Sequence, residues 1–290
     1  MQLGVNTFGL REELHADLGG TVKKLRDVGY TSLEICGLFD EQNERVAKAI
    51  GDMEENGGPM AKSANRAAWT AEQAIAYLPR IREGRLLVTS CHLFHPALYD
   101  GRLTDMVPKV LRFAETTGIT HYVVSYMLRT RAECDRFLPE LSAAALVMRK
   151  NGLVFSYHNH GQELEVWEDG DCALDYLMAH TGPELTLQPD IGWMKWAGAD
   201  ADEKLQKWAG RIVSVHFKDV KKGIDPKTTP QPFTAVGLGC ADTAAGMAIA
   251  KRRMAEGALI EEGCIIDQDD SDHDMMDDLR IGRETLLSLL

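Results

Sequence analysis

Short runs rich in apolar and β-branched residues alternate with longer stretches of helical periodicity, eight times in succession along this chain. Such alternation marks βα units, which build a parallel sheet covered by helices. The strand-like runs fall at residues 3–8, 31–35, 86–93, 121–126, 154–157, 185–187, 211–217 and 264–266. Helical periodicity covers residues 14–28, then a long region interrupted at Gly57-Gly58-Pro59 and resuming to about residue 82. It returns at 103–117, 131–150, 172–180, 201–209, 243–256 and 275–290. Several of these stretches end on a helix-stop residue: Gly29, Gly118 or Asn151-Gly152. Eight units in 290 residues predict a closed (β/α)8 TIM barrel. No Pro- or Ser-rich linker divides the chain, so residues 1–290 read as one such domain. An open doubly wound sheet is the main rival. Its phosphate loop, GxGxxG after the first strand, is missing, and Gly237-Leu238-Gly239 comes far too late to serve.

Charge narrows the range of functions. With 32 basic and 44 acidic residues the net charge is −12, and part of the acid lies in a run from Asp267 to Asp278. A chain this acidic repels a phosphate backbone and an anionic lipid surface, which argues against nucleic acid and membrane partners. No apolar run reaches the roughly 18 residues that a membrane span needs, and the first residues do not read as a secretion signal. The six cysteines are scattered without a CxxC pair, so zinc-ribbon and thioredoxin-type readings fail. Free thiols suit a reducing cytoplasm.

In a barrel, the residues at the carboxyl ends of the strands converge on one cavity. Strand two carries Glu34 and strand three ends on His92, with His95 just beyond. Strand five ends in His158, Asn159 and His160, followed by Glu163. Strands six, seven and eight end on Asp190, on His216 with Lys218 and Asp219, and on Asp267 with Asp269 and Asp270. Four consecutive strands thus each present a potential metal ligand: His158, Asp190, His216 and Asp267. The first three are spaced by 32 and 26 residues, about one βα unit each; the last step of 51 contains a polar loop with Pro226, Pro230 and Pro232. Two imidazoles and two carboxylates suit Mn, Co, Zn or Fe better than Ca or Mg. Each residue also has a plainer reading. Asp190 alone would serve as a helix N-cap, and His216 as a satisfied core residue. Glu34 would pair with a lysine or arginine inside the barrel, and Lys218 with Asp219. At most one of His158 and His160 is expected to point into the barrel.

The segments Tyr157-His158-Asn159-His160, Asp190-Ile191-Gly192-Trp193 with Ala197-Gly198, and His216-Phe217-Lys218-Asp219 occur in that order, after Leu33-Glu34-Ile35 and Gly37. Together they resemble the sugar phosphate isomerase/epimerase family, the xylose-isomerase-like TIM barrels, over the whole chain. The resemblance implies one divalent metal held by Glu, Asp, His and Glu on strands five to eight. Asp190 and His216 match two of these positions. His158 stands near the first Glu, as in the branch with a Tyr-His-Asn-His motif, and Asp267 stands at the last. Where the family has Gly-Glu-Gly after strand seven, this chain has Gly237-Leu238-Gly239. The related apurinic endonucleases carry a His three residues after the strand-six Asp; here that residue is Trp193. Barrels of this family often form dimers or tetramers, which implies a homo-oligomer.

The expected activity is that of a metal-dependent isomerase or epimerase acting on a sugar, ketose or keto-sugar through an enediolate. His160, Glu163 and Lys218 are candidate proton-transfer residues, and Glu34 and His92 candidate substrate contacts. A dehydratase or lyase on a keto-sugar or keto-inositol shares the first step. A barrel that binds a sugar or a protein partner without catalysis is the competing class.

Overall fold

The computed structural model describes residues 2–39, 69–94, 101–271 and 273–290. The expected break at Gly57-Gly58-Pro59 and the residue His95 lie outside them. Eight strands form the barrel: β1 (Gly4–Asn6), β2 (Ser32–Phe39), β3 (Leu87–Leu93), β4 (His121–Val124), β5 (Val154–His158), β6 (Leu185–Gln188), β7 (Val215–Phe217) and β8 (Cys264–Ile266). All neighbours pair in parallel, from β6 through β5, β4, β3, β2, β1 and β8 to β7. Two parallel bridges, Leu187 to Ile212 and Asp190 to His216, join the ends into a ring.

The outer layer follows from local sequence. The helix α1 (Leu18–Val28) starts at Asp17, whose carboxylate accepts from the Gly20 amide, and stops at Gly29 with φ of 106°. The helices α2 (Ala71–Glu83) and α4 (Arg131–Lys150) both open on capping boxes, Thr70 with Gln73 and Thr130 with Glu133. Between them, α3 (Leu103–Thr117) ends at Gly118. Later come α5 (Ala173–His180), α6 (Ile191–Ala197), α7 (Ala201–Lys207), α8 (Thr243–Ala255) and α9 (Met275–Ser288). Leu33, Ile35, Cys91, Tyr122, Phe155, Tyr157, Leu187, Val215 and Phe217 face these helices and form the main apolar core.

Strand alternation then turns the intervening residues inward. Register places Asn6 beside Glu34, Glu34 beside Ser90 and Ser90 beside His121. The barrel interior is therefore polar at this level. His121, Ser156 and Thr186 form a buried chain of contacts, each of 2.7 Å.

Three local expectations need correction. The stretch beginning at residue 14 is split at Asp17, which caps the second helix while Arg11–Ala16 forms a separate one. The seventh strand covers only Val215–Phe217, because Ala209–Arg211 is a 3₁₀ turn and Ile212 makes a single bridge. Helix α6 was not expected, and it begins on a candidate site residue, Asp190.

Candidate metal centre

Asp190 caps a helix with one carboxylate oxygen and leaves the other in a cluster of donors. Its Oδ1 accepts from the Trp193 amide at 2.8 Å and caps α6. Its Oδ2 is buried with no hydrogen-bond partner. His158 Nδ1 is likewise buried and unpartnered. Burial without a partner is costly for either atom. Donor atoms of His158, Asp190, His216 and Asp267, all buried, lie within 4.8 Å of one another. Burial raises Asp190 to about 6, opposed chiefly by Lys218 and, less, by His216. The two orphaned atoms and the mixed nitrogen and oxygen donor set fit a divalent ion. Donors of His92, His158 and His216 also lie within 4.8 Å of one another.

His216 is held from behind. Its Nε2 lies 2.6 Å from Glu34 Oε1, and its Nδ1 lies 3.3 Å from Asp267 Oδ2 and 4.0 Å from Asp190 Oδ2. A carboxylate on the far ring nitrogen fixes the orientation of a ligating imidazole. Burial works against a charged ring, but Glu34 and Asp267 outweigh it and raise His216 to about 10. If His216 were to hold a divalent ion, its ring would have to give up a proton.

Glu34 is fully buried and is not part of the cavity wall. It accepts from Asn6 Nδ2 at 2.9 Å, Ser90 Oγ at 2.6 Å and Gln188 Nε2 at 2.8 Å, and lies 3.0 Å from His92 Nε2. Its charge is balanced by histidines, not by the lysine or arginine expected. Burial alone would raise its pKa, but His92 and His216 hold it well below the carboxylate range. These contacts place Glu34 behind His216 and His92, outside the cavity lining.

Above this layer opens a cavity of about 60 Å³, lined by Asn6, Phe8, Cys36, His92, Phe94, Ser125, His158, His160, Lys218, Asp267 and Asp269. That is room for roughly four or five water-sized groups. His158 and His160 both reach it, against the expectation that at most one would. Residues two apart share a face in extended chain. His160 Nδ1 lies 2.7 Å from Ser125 Oγ, and its ring packs against Trp193. Burial, reinforced by Lys218, lowers His160 to about 3, so the ring is neutral.

Glu163 does not line this cavity. Its Oε1 accepts from Tyr157 Oη at 2.7 Å and its Oε2 from the His160 amide at 3.0 Å, which fixes the loop after β5. It holds the His160 backbone in place through that amide. Burial raises Glu163 from 4.5 to about 7, against the hydrogen bonds it accepts. A pKa raised on folding contributes stability below the unfolded value that is lost as pH rises through the folded one. Wild-type stability is therefore expected to fall by roughly 2–4 kcal/mol from this group between pH 4.5 and 8. Glu163→Gln should flatten that decline in melting temperature, and an unchanged decline would remove Glu163 as its source.

Lys218 lines the cavity, so its plainer reading as a partner of Asp219 does not hold. It contacts Asp269 and Asp267, not Asp219. Burial disfavours its charge, but Asp267, Asp269 and Asp190 outweigh it and raise the pKa above the usual lysine range. Asp219 instead accepts from the backbone amides of Val220, Gly237, Gly239 and Ala241, and so shapes the altered Gly237-Leu238-Gly239 turn. Sequence reasoning missed Ser125 and Gln188; each is a single polar residue with no motif around it.

Fold and site together define a (β/α)8 barrel with a buried four-residue donor cluster at the carboxyl ends of β5 to β8. No family model matches the chain. It is 32% identical over 126 residues to the inosose dehydratase of Geobacillus kaustophilus, covering 39% of this chain and 40% of that protein. It is 26% identical over 174 residues to an L-ribulose-5-phosphate 3-epimerase of Escherichia coli, covering 55% and 61%. The matched segments thus span less than two thirds of either relative. A sugar phosphate isomerase/epimerase of Parabacteroides distasonis superposes with a TM-score of 0.68 at 16% identity, over 99% of this chain and 97% of that one. The IOLI protein, solved with a zinc atom, superposes with a TM-score of 0.63 at 10% identity, over 100% and 98%. The fold is that of the xylose-isomerase-like TIM barrels. No helix among the described residues is long and apolar enough to cross a membrane.

Proposed function

We propose that this protein is a divalent-metal-dependent isomerase or epimerase of a sugar, ketose or keto-sugar, with His158, Asp190, His216 and Asp267 as the metal ligands. The observation that carries this reading is the pair of orphaned buried atoms, His158 Nδ1 and Asp190 Oδ2, within one donor cluster. The donor set favours Mn, Co, Zn or Fe. When bound, such an ion supplies Lewis acidity, which makes the carbon next to a carbonyl more acidic. His92 and Asn6 line the cavity and offer hydrogen bonds to substrate hydroxyls. His160, neutral and held through Nδ1 by Ser125, is the group placed to accept the carbon-bound proton and return it to another carbon or face. Lys218, held charged, stabilises the negative charge left on the substrate oxygen.

The similarity to inosose dehydratase favours a second outcome from the same carbon acid. In that outcome the enolate expels a β-hydroxyl, which takes the proton held by His160 and leaves as water, and the substrate is a keto-inositol or keto-sugar. No disulfide joins the cysteines among the described residues, and five of the six are buried, which suits a cytoplasmic setting.

The test is incubation of metal-replete protein with ketoses and keto-inositols in D2O, read by NMR. Deuterium is expected at the carbon beside the carbonyl of at least one substrate, and more slowly with His160→Ala. No incorporation into any substrate would favour a non-catalytic binding barrel.

A further inference from the structure

Lys218 stands on the carboxylate that the proposed metal site needs. Its Nζ lies 2.9 Å from Asp267 Oδ2, 2.8 Å from Asp269 Oδ2 and 3.9 Å from Asp190 Oδ2. Asp267 Oδ2 is also the oxygen that faces His216 Nδ1 at 3.3 Å. That oxygen is thus shared between the imidazole and the ammonium. Lys218 has little freedom to withdraw: it is 2% exposed, and a Cβ on Gly192 would come within 2.6 Å of Lys218 Cβ. Its Nζ lies 5.2 Å and 4.9 Å from the ring centroids of Trp193 and Phe233. The base of the side chain is thus packed against Gly192, and the ammonium has two aromatic rings nearby, with Asp269 as a second anchor beside Asp267.

We propose that Lys218 is a built-in cation that competes with the metal for Asp267, and that Asp269 retains the ammonium when Asp267 turns to the metal. This rests on the reading of His158, Asp190, His216 and Asp267 as the ligands. Two like charges this close repel, so the ammonium weakens metal binding and makes the ion exchangeable. Asp269 offsets that effect by offering Lys218 another partner. Lys218 and Asp269 act on the metal through Asp267, as positioning residues in this respect.

The opposing roles give opposite signs on removal. Chelator-treated wild type, Lys218→Met, Lys218→Arg and Asp269→Asn would each be titrated with Mn²⁺ by calorimetry at one pH. Lys218→Met is expected to bind Mn²⁺ roughly 10-fold or more tightly than wild type, and Lys218→Arg near wild type. Asp269→Asn is expected to bind more weakly, because the ammonium is then left to Asp267. Loss of packing alone would weaken both variants together. Unchanged or weaker binding by Lys218→Met, with wild type binding normally, overturns the proposal. If Lys218→Met does not fold, Asp269→Asn decides, and wild-type or tighter affinity there overturns it. Failure of wild type and every variant to bind overturns the metal-site reading itself.

Discussion

Asp190→Asn is expected to leave the barrel folded and to remove most of its bound metal. The two carboxylate oxygens do separate work: Oδ1 caps α6 at 2.8 Å from the Trp193 amide, and Oδ2 is the buried, unpartnered atom in the donor cluster. Asparagine keeps an oxygen for the cap and offers an amide NH₂ where a ligand is needed. Affinity should fall by more than the roughly 10²-fold typical of a lost outer-shell partner. Asp190→Ala should lose the metal and also about 1 kcal/mol from the cap. Metal content after gel filtration, with thermal melts alongside, separates the two effects. Wild-type metal content in Asp190→Asn would remove Asp190 from the ligand set.

Glu34→Ala is expected to have the largest effect on stability. The carboxylate is fully buried and accepts from Asn6, Ser90 and Gln188 while facing His216 and His92. Removing one partner of a buried charge network costs about 3–5 kcal/mol, because the other is left uncompensated. Here the stranded group is His216. Its raised pKa means that its contribution is fully present below 6.5 and fades as pH rises through about 10. The lowered pKa of Glu34 gives the opposite edge: its contribution fades as pH falls through that value. Glu34→Gln preserves shape but not charge, and should lower metal affinity by roughly 10–100-fold while retaining more stability than alanine. A Glu34→Ala variant as stable as wild type in denaturant would contradict this account of the barrel interior.

The positions of the eight strands were legible because apolar runs and helix stops such as Gly29 and Gly118 are local signals. The four strand-end donors were legible for the same reason, through their spacing. Helix α6 was not: it has seven residues, contains Gly192, and begins on a residue already accounted for as a strand end. The role of Glu34 was hidden because its partners come from Asn6, Ser90, Gln188 and His216, separated by 28, 56, 154 and 182 residues. No local pattern announces a network of that range. Glu163 looked like a free acid because nothing in sequence shows that Tyr157, six residues earlier, claims one of its oxygens. The pairing of Lys218 with Asp269 in place of Asp219 depends on how the turn at residues 237–241 folds back, and sequence does not show that.

An anomalous-difference map from crystals grown with Mn²⁺ tests the central claim most directly. A single dominant peak should lie among His158, Asp190, His216 and Asp267, within bonding distance of a nitrogen or oxygen from each. A map with no peak there, or with its peak elsewhere on the chain, would contradict the assignment.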